Sequence, residues 1–336
     1  MKATNARRQH GAAILLALLI MTLVATLAAG MVWLQWRGIE VESAERARGQ
    51  GEWLLNASLD WGNLILKSAI RSGNPDDDLG QPWATPLAET KLSSFLSADG
   101  SHSDDSGPEA YLSGQITDAQ SKYNLFNLVF SSKTAELQRL QILCTAIGVS
   151  PDVANTIAAG LRSSYSAQQN IIATPGQADS TNSVLMPIEL ADLAWYGIDP
   201  KVIKQLEPFV QIIPFAAGTP PITINANTAP AEVLMAGYGM PAITRAQAAQ
   251  LILQRQQKPL ISPAAITSAL GIQKDPPPPP DGAPGNILDI RSHYFEIYGQ
   301  LRYQQHVIRE RSVVYRKDQF TPVQVLRRER LPPDAT

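Results

Sequence analysis

Cysteine is almost absent. Cys144 is the only thiol in 336 residues, so no internal disulfide can staple the fold. Its setting, LQILCTAIG, reads as a helix face and gives Cys144 a buried, structural role. Such scarcity suits the cytoplasm and an unstapled periplasmic protein alike. Charge of one sign is also lacking: 28 basic against 30 acidic residues leave a net charge of −2, which excludes a global basic field for nucleic acid or acidic lipid. The four histidines, 10, 102, 293 and 306, are scattered without H-E-x-x-H spacing, and no nucleophile signature is present, so the pattern argues against an anchored hydrolase. Two further absences sit together. No Asp, Glu, Lys or Arg occurs from Ala12 to Trp36, and no proline between Ala12 and Pro75.

What fills that gap is MKATNARRQHGAAILLALLIMTLVATLAAGMVWLQW. About 20 apolar residues span a bilayer as a helix. Lys2, Arg7 and Arg8 precede the stretch, which keeps the start of the chain cytoplasmic and sends the bulk outside. Trp33 and Trp36 stand at the exit, where aromatic rings favour the interface. A removable secretion signal has an apolar core of about 7–15 residues. This core is longer, TLAAG is a weak cut site, and the pattern beyond it stays helical. Arg7-Arg8 is followed by Gln9 and His10, which does not suit a twin-arginine signal. A plain uncleaved anchor is the simpler alternative. The third reading rests on RRQHG followed by AAILLALLIM, which resembles a type IV prepilin-like leader. That resemblance implies cleavage between Gly11 and Ala12 on the cytoplasmic face by a membrane aspartyl peptidase, and N-methylation of Ala12.

Most pilins and pseudopilins carry Glu at the fifth mature position. Here it is Leu16, as in the K-type minor pseudopilins of type II secretion systems. A carboxylate within the membrane costs about 2.5–3.5 kcal/mol on insertion scales, tolerable when a neighbour's terminal ammonium pairs with it. A subunit with no neighbour above it has no such partner.

Helical spacing continues through IEVESAERARGQGEWLLNASLDWGNLILKSAIRSG. One helix over 12–71 is expected, on the order of 90 Å long at 1.5 Å per residue, with a possible bend where Gly49 and Gly51 weaken it. Residues 12–36 form its membrane part and 37–72 its continuation. GNPDDDLGQPWATPLAE reads as a loop. YLSGQITDAQSKYNLFNL alternates like a strand pair, and the C-terminal stretch like three or four antiparallel strands, so 73–124 and 285–330 make up a β domain. DPPPPPDGAPG (275–285) reads as a stiff linker or exposed loop. Between the strand regions, 125–275 is helical with an internal repeat (about 125–215 and 222–275): an Asn motif, helix, Gly turn, helix ending in Arg, then a short L…GI unit. Thr228, Pro230 and Glu232 supply a helix start.

ITDAQSKYNLFNL, INANTAPAEVLMA and YFEIYGQLRY, with the leader, are similar to the motifs of the K-type minor pseudopilins, general secretion pathway protein K, over nearly the whole chain. One departure is Phe126, where that family often has Asn. The resemblance implies an α+β fold: a long N-terminal transmembrane and spine helix on an antiparallel, pilin-like sheet, with a large all-α domain of two helix-hairpin-helix or SAM-like repeats inserted between strands. It implies a non-enzymatic subunit that caps a pseudopilus tip and helps initiate its assembly, in the inner membrane with a cytoplasmic N-terminus and periplasmic headgroup. The expected partners are other minor pseudopilins, the prepilin peptidase and the inner-membrane secretion platform.

Calcium is possible in that family, and Asp76, Asp77, Asp78, Asp104 and Asp105 are the candidates, though neither run has EF-hand spacing and solvated loop charge is the plainer reading. INANTAPAEVL also looks like a helix-hairpin-helix unit of DNA-uptake proteins. Its hairpins, AIGVSPD and GYGMPAIT, carry few basic residues (Arg162, Arg245, Arg255, Lys258) and one holds Asp152, which points to a packing scaffold rather than nucleic acid. Asn124, Asn127, Asn225 and Asn227 read as turn and capping residues that bond nearby backbone. Arg327-Arg328-Glu329-Arg330 reads as a solvated strand end.

Overall fold

The computed structural model describes residues 10–71, 76–91, 110–130, 134–173, 185–215, 220–239, 242–272, 285–303, 306–318 and 320–332. Helix α1 (His10–Arg71) is a single element of 62 residues. Its apolar stretch is exposed throughout, and burial begins only at Gly51. From there Gly51, Leu55, Leu59, Gly62, Leu66 and Ala69 are buried, at helical steps of three and four that make one face. The glycine pair does not end the helix. A Cβ at Gly51 would lie 2.6 Å from Ile308 Cδ1, so that glycine lets the helix lie close against the sheet, whereas Gly49 meets nothing.

The segment expected to be a loop contains a strand. Pro82–Ala84 forms a short 3-10 turn that plants Trp83 in the core, 1% exposed and edge-on to Phe295 at 5.2 Å. The chain then runs as β1 (Leu87–Lys91) against β2 (Ala110–Asp118). The expected strand pair is also corrected. β2 ends where the Asp118 carboxylate caps a 3-10 turn by accepting from Gln120 N at 2.8 Å. The two residues beyond, β3 (Tyr123–Asn124), do not fold back on β2 but pair in parallel with β4 (Val210–Gln211).

Between β3 and β4 lie α2 (Asn127–Phe130), α3 (Ala135–Ala146), α4 (Pro151–Ala173), a 3-10 turn (Leu190–Tyr196) and α5 (Pro200–Leu206). The chain continues with β5 (Ile224–Asn225), α6 (Ala231–Tyr238), α7 (Arg245–Gln257), α8 (Pro263–Ala269) and β6 (Leu288–Asp289), with β5 and β6 again a parallel pair. Each helical stretch is thus closed at its base by two residues pairing with two. Both contribute to one core, where Leu140, Leu143, Cys144 and Leu161 pack with Val233, Leu234, Leu251 and Ile266. Cys144 is fully buried and burial pushes its thiol up to about 11, as its helix-face reading requires. Of the proline-rich 275–285, all but Gly285 lies outside the described residues.

Three strands complete the sheet: β7 (Tyr294–Tyr303), β8 (His306–Tyr315) and β9 (Gln324–Leu331). The order is β1-β2-β7-β8-β9, antiparallel throughout. β7 alternates strictly, with Phe295, Ile297, Gly299, Leu301 and Tyr303 buried, and Leu59 and Leu66 of α1 pack on this face. Asp118 pairs with Phe295. The chain therefore leaves the sheet and returns to it at adjacent positions, with the helical stretches between.

Two of the four asparagines bond nearby backbone, Asn225 accepting from Asn227 N at 2.9 Å and Asn124 from Phe126 N at 3.4 Å, and all four also bond backbone far away in sequence, Asn225 by donating to the Asp77 carbonyl. Asn124 donates to the carbonyl of Ile213 and accepts its N–H, both at 2.9 Å. Asn127 does the same with Ile222 and Asn227 with Leu260. A side-chain amide carries a donor and an acceptor side by side, like a peptide group, so each of these three pairs with a distant peptide through both, and Asn124 thereby continues the β3–β4 pairing.

Candidate functional site: the anchor and the headgroup junction

Gly11 and Ala12 stand in the first turn of α1, and Leu16, 61% exposed, follows one turn on. Every described residue from Ala12 to Arg46 is exposed, and the helix is long and apolar enough to cross a membrane. A helix apolar on all sides belongs in lipid or among other apolar helices. Arg37 lies 5.7 Å over the Trp33 ring at its end, a cation–π contact at the place where the apolar run stops. Beyond it come Glu42–Arg46 at 2.6 Å and Arg48–Glu52 at 3.3 Å, both i,i+4. Glu52 also meets Arg330 of β9 at 3.0 Å, and that hydrogen bond is the main cause holding its carboxyl below the usual range. Arg328 reaches Asn56 of α1 at 2.6 Å. Two of the four residues expected at a solvated strand end thus bind the spine.

At the other end of the sheet lies a buried polar junction. Asp118, 4% exposed, accepts from Ser292 Oγ and Thr228 Oγ1 at 2.6 Å and from Asn225 Nδ2 at 2.9 Å. Burial pushes its carboxyl up to about 6, against the hydrogen bonds of Ser292 and Thr228. Asp77 pairs with Arg316 at 2.6 Å and accepts from Ser292 N at 2.9 Å. Arg316, 2% exposed, also donates to the carbonyls of Leu66 at 3.0 Å and Ser292 at 2.9 Å, and lies 4.4 Å over the Phe295 ring. One guanidinium therefore joins the spine helix, the loop after it and the strand that re-enters the sheet. A cation near the carboxyl end of a helix is favoured by the helix dipole as well.

A second buried group lies within the helical part. Tyr123 Oη donates to Glu136 at 2.7 Å, Glu136 meets Arg139 at 3.2 Å, and Arg139 donates to the carbonyl of Gly237 at 2.7 Å. This joins β3, α3 and the end of α6, so the two helical stretches are tied by charge as well as by apolar contact.

The described part of the acidic candidate set is a hydrogen-bonded turn. Asp78 accepts from Gly80 N at 2.6 Å, Asp76 from Asn227 at 3.4 Å, and Asp77 is taken by Arg316. Burial, then the nearby Asp78, push the Asp76 carboxyl up. Among the described residues no three His, Cys, Asp or Glu side chains group as a metal-holding set; Asp104 and Asp105 lie outside the described residues. Three of the four basic residues weighed for nucleic acid hold carbonyls. Arg255 donates to Ala226 at 2.5 Å and Ala229 at 2.8 Å, and burial lowers its guanidinium to about 10. Arg162 donates to Leu128 at 3.0 Å, and Arg245 to Ala146 at 2.9 Å while pairing with Glu232 at 2.8 Å.

The junction residues Asp118, Ser292 and Arg316 were not singled out by sequence reasoning. Asp118 had a signal, an Asp that breaks strand alternation two residues before Gln120. Ser292 and Arg316 carried none, because their partners lie far away in the chain.

The family description "Type II secretion system (T2SS), protein K" matches residues 224–282, from β5 through the second helical stretch. Type II secretion system protein K of Pectobacterium carotovorum subsp. carotovorum is 25% identical over 341 aligned residues, covering 96% of each chain. The protein K of Pseudomonas aeruginosa is 25% identical over 251, covering 69% of each. This chain is similar to type II secretion system protein K. The fold is similar as well: a crystal structure of the GspK-GspI-GspJ complex from enterotoxigenic Escherichia coli matches with a TM-score of 0.57 at 15% identity, over 86% of this chain and 98% of that one. The segment matched by that description holds Asn225, Asn227 and Thr228 near its start, and Asn225 and Thr228 bind Asp118 in the junction.

Proposed function

We propose that this chain is a minor pseudopilin of a type II secretion system, seated at the pseudopilus tip, where it helps initiate assembly for protein export. The observation that carries the reading is α1 itself. It is one unbroken helix, exposed and apolar in its first part, and packed by one face on an antiparallel sheet in its second. The chain is processed by a prepilin peptidase between Gly11 and Ala12, and Ala12 is N-methylated. It sits in the inner membrane with a cytoplasmic N-terminus and a periplasmic headgroup. The headgroup divides into a pilin-like β domain (73–124 and 285–330) and a helical domain (125–275) of two helix-hairpin-helix or SAM-like repeats. The parallel strand pairs at the base of each stretch support a duplication.

Position follows from bulk. A domain of about 150 residues has a radius of gyration near 15 Å, which would clash if stacked at every level of a helical filament and is tolerated at its end. Leu16 agrees, since a top subunit has no neighbouring ammonium for a Glu to pair with. Its partners are other minor pseudopilins, as GspI and GspJ are for the solved relative, together with the secretion platform. Residue-specific crosslinking in assembled pseudopili tests this. Crosslinks to minor pseudopilins at one filament end are expected, with no gain from Leu16→Glu; labelling at regular intervals along the shaft would defeat the tip placement.

A further inference from the structure

The junction around Asp118 has a property that simple packing does not require. Its carboxylate is buried, and no guanidinium or ammonium contacts it among the described residues, because Arg316 is taken by Asp77. Four donors converge on it, two of them hydroxyls that can rotate. Thr228 Oγ1 has a second acceptor, the Asn225 carbonyl, at 3.4 Å. A proton from solvent placed on Asp118 Oδ2 can be donated to Thr228 Oγ1 while the Thr228 hydroxyl turns to that carbonyl. Both charge states are thus fully hydrogen-bonded, and they differ by one proton and one hydroxyl rotation.

The place matters as much as the chemistry. Asp118 is where the chain leaves the sheet, Ser292 is just before it returns, and Asn225 and Thr228 open the second helical stretch. We propose that Asp118 and its hydroxyl partners form a proton-linked latch, in which a proton taken up at Asp118 tightens the seat of the helical part on the sheet and its loss loosens that seat. In the closed latch an ionised Asp118 is cut off from water and repelled by the Asp77 carboxylate; opening rehydrates it.

The direction follows from linkage. Closed, the Asp118 carboxyl stands at about 6 against an ordinary 3.8. A raised acid contributes most below its ordinary value, and that contribution falls as pH rises to about 6 and is flat above. The other charged groups around the latch are Asp77 with Arg316, Asp76 with its neighbour Asp78, Arg291, and His293, whose Nδ1 lies 3.0 Å from the Arg316 carbonyl. On the outer side Lys122 is held at the Glu207 carbonyl, and Arg311 between Glu296 and Glu329.

The test is hydrogen exchange by mass spectrometry on the full-length protein in detergent from about pH 4 to 8, corrected for intrinsic exchange. Opening of peptides over Ala110–Ser121 and Ile222–Pro230 should rise on the order of a hundredfold toward neutral pH, while α3 stays protected. Asp118→Asn should flatten that rise. Thr228→Val removes a partner of both forms, but its hydrogen bond to the charged form is the stronger one, so the midpoint should move to higher pH; this variant decides the matter if Asp118→Asn does not fold. A flat wild-type profile, an unmoved midpoint in Thr228→Val, or a rise that survives Asp118→Asn and vanishes in Asp76→Asn or His293→Gln would overturn the latch.

Discussion

The two halves of α1 share one backbone and differ in pattern. In the first, apolar residues crowd every side from Ala12 to Trp36 with no charge among them, and none is covered by the rest of the chain. In the second they return every three or four residues, and Leu55, Leu59 and Leu66 are essentially fully buried. The comparison teaches that arrangement, more than apolar content, decides which surroundings a helix is made for. A continuous run needs an apolar medium on all sides; a stripe needs one partner surface, here supplied by the sheet.

The comparison can be broken most severely at the clasp that fixes the second half in place. Arg316→Ala leaves Asp77 buried without its cation, and removing one partner of a buried pair costs about 3–5 kcal/mol. Denaturant unfolding of the full-length protein in detergent should show that loss. A change below about 1 kcal/mol, the range of exposed pairs, would mean that Arg316 does not hold the spine to the sheet.

A milder pair of substitutions sharpens the same contrast. Leu66→Ala empties a fully buried site and should cost about 2–5 kcal/mol. Leu19→Ala, in the exposed half, should leave headgroup unfolding within about 0.5 kcal/mol. Equal effects at the two positions would erase the distinction between run and stripe.

Much of this was legible in the sequence because it is written in short-range periodicity. The helix expected over 12–71 is found at His10–Arg71, the C-terminal alternation becomes β7, β8 and β9, and a helical part lies between strand regions. What failed to show depends on partners distant in sequence. β1 hides in a proline-rich segment because it is defined by its pairing with β2 after Trp83 has been anchored. Tyr123 and Asn124 read as part of a strand paired with β2, yet their mates are Val210 and Gln211. The asparagines read correctly as binders of backbone, and Asn124 and Asn225 do hold it two residues on, but the distant segment each one also meets is not visible in the residue type. Gly51 read as a weak point; its true role is set by Ile308 across the packed interface.

The central claim is that the exposed half of α1 is the retained anchor of a processed pseudopilin. Mass spectrometry and N-terminal sequencing of the membrane-extracted protein test it directly. The account predicts a mature chain that begins at Ala12, N-methylated, with the leader retained when a bulky residue replaces Gly11. A chain cut instead after about residue 30, the small-residue site that a removable signal would use, would contradict it.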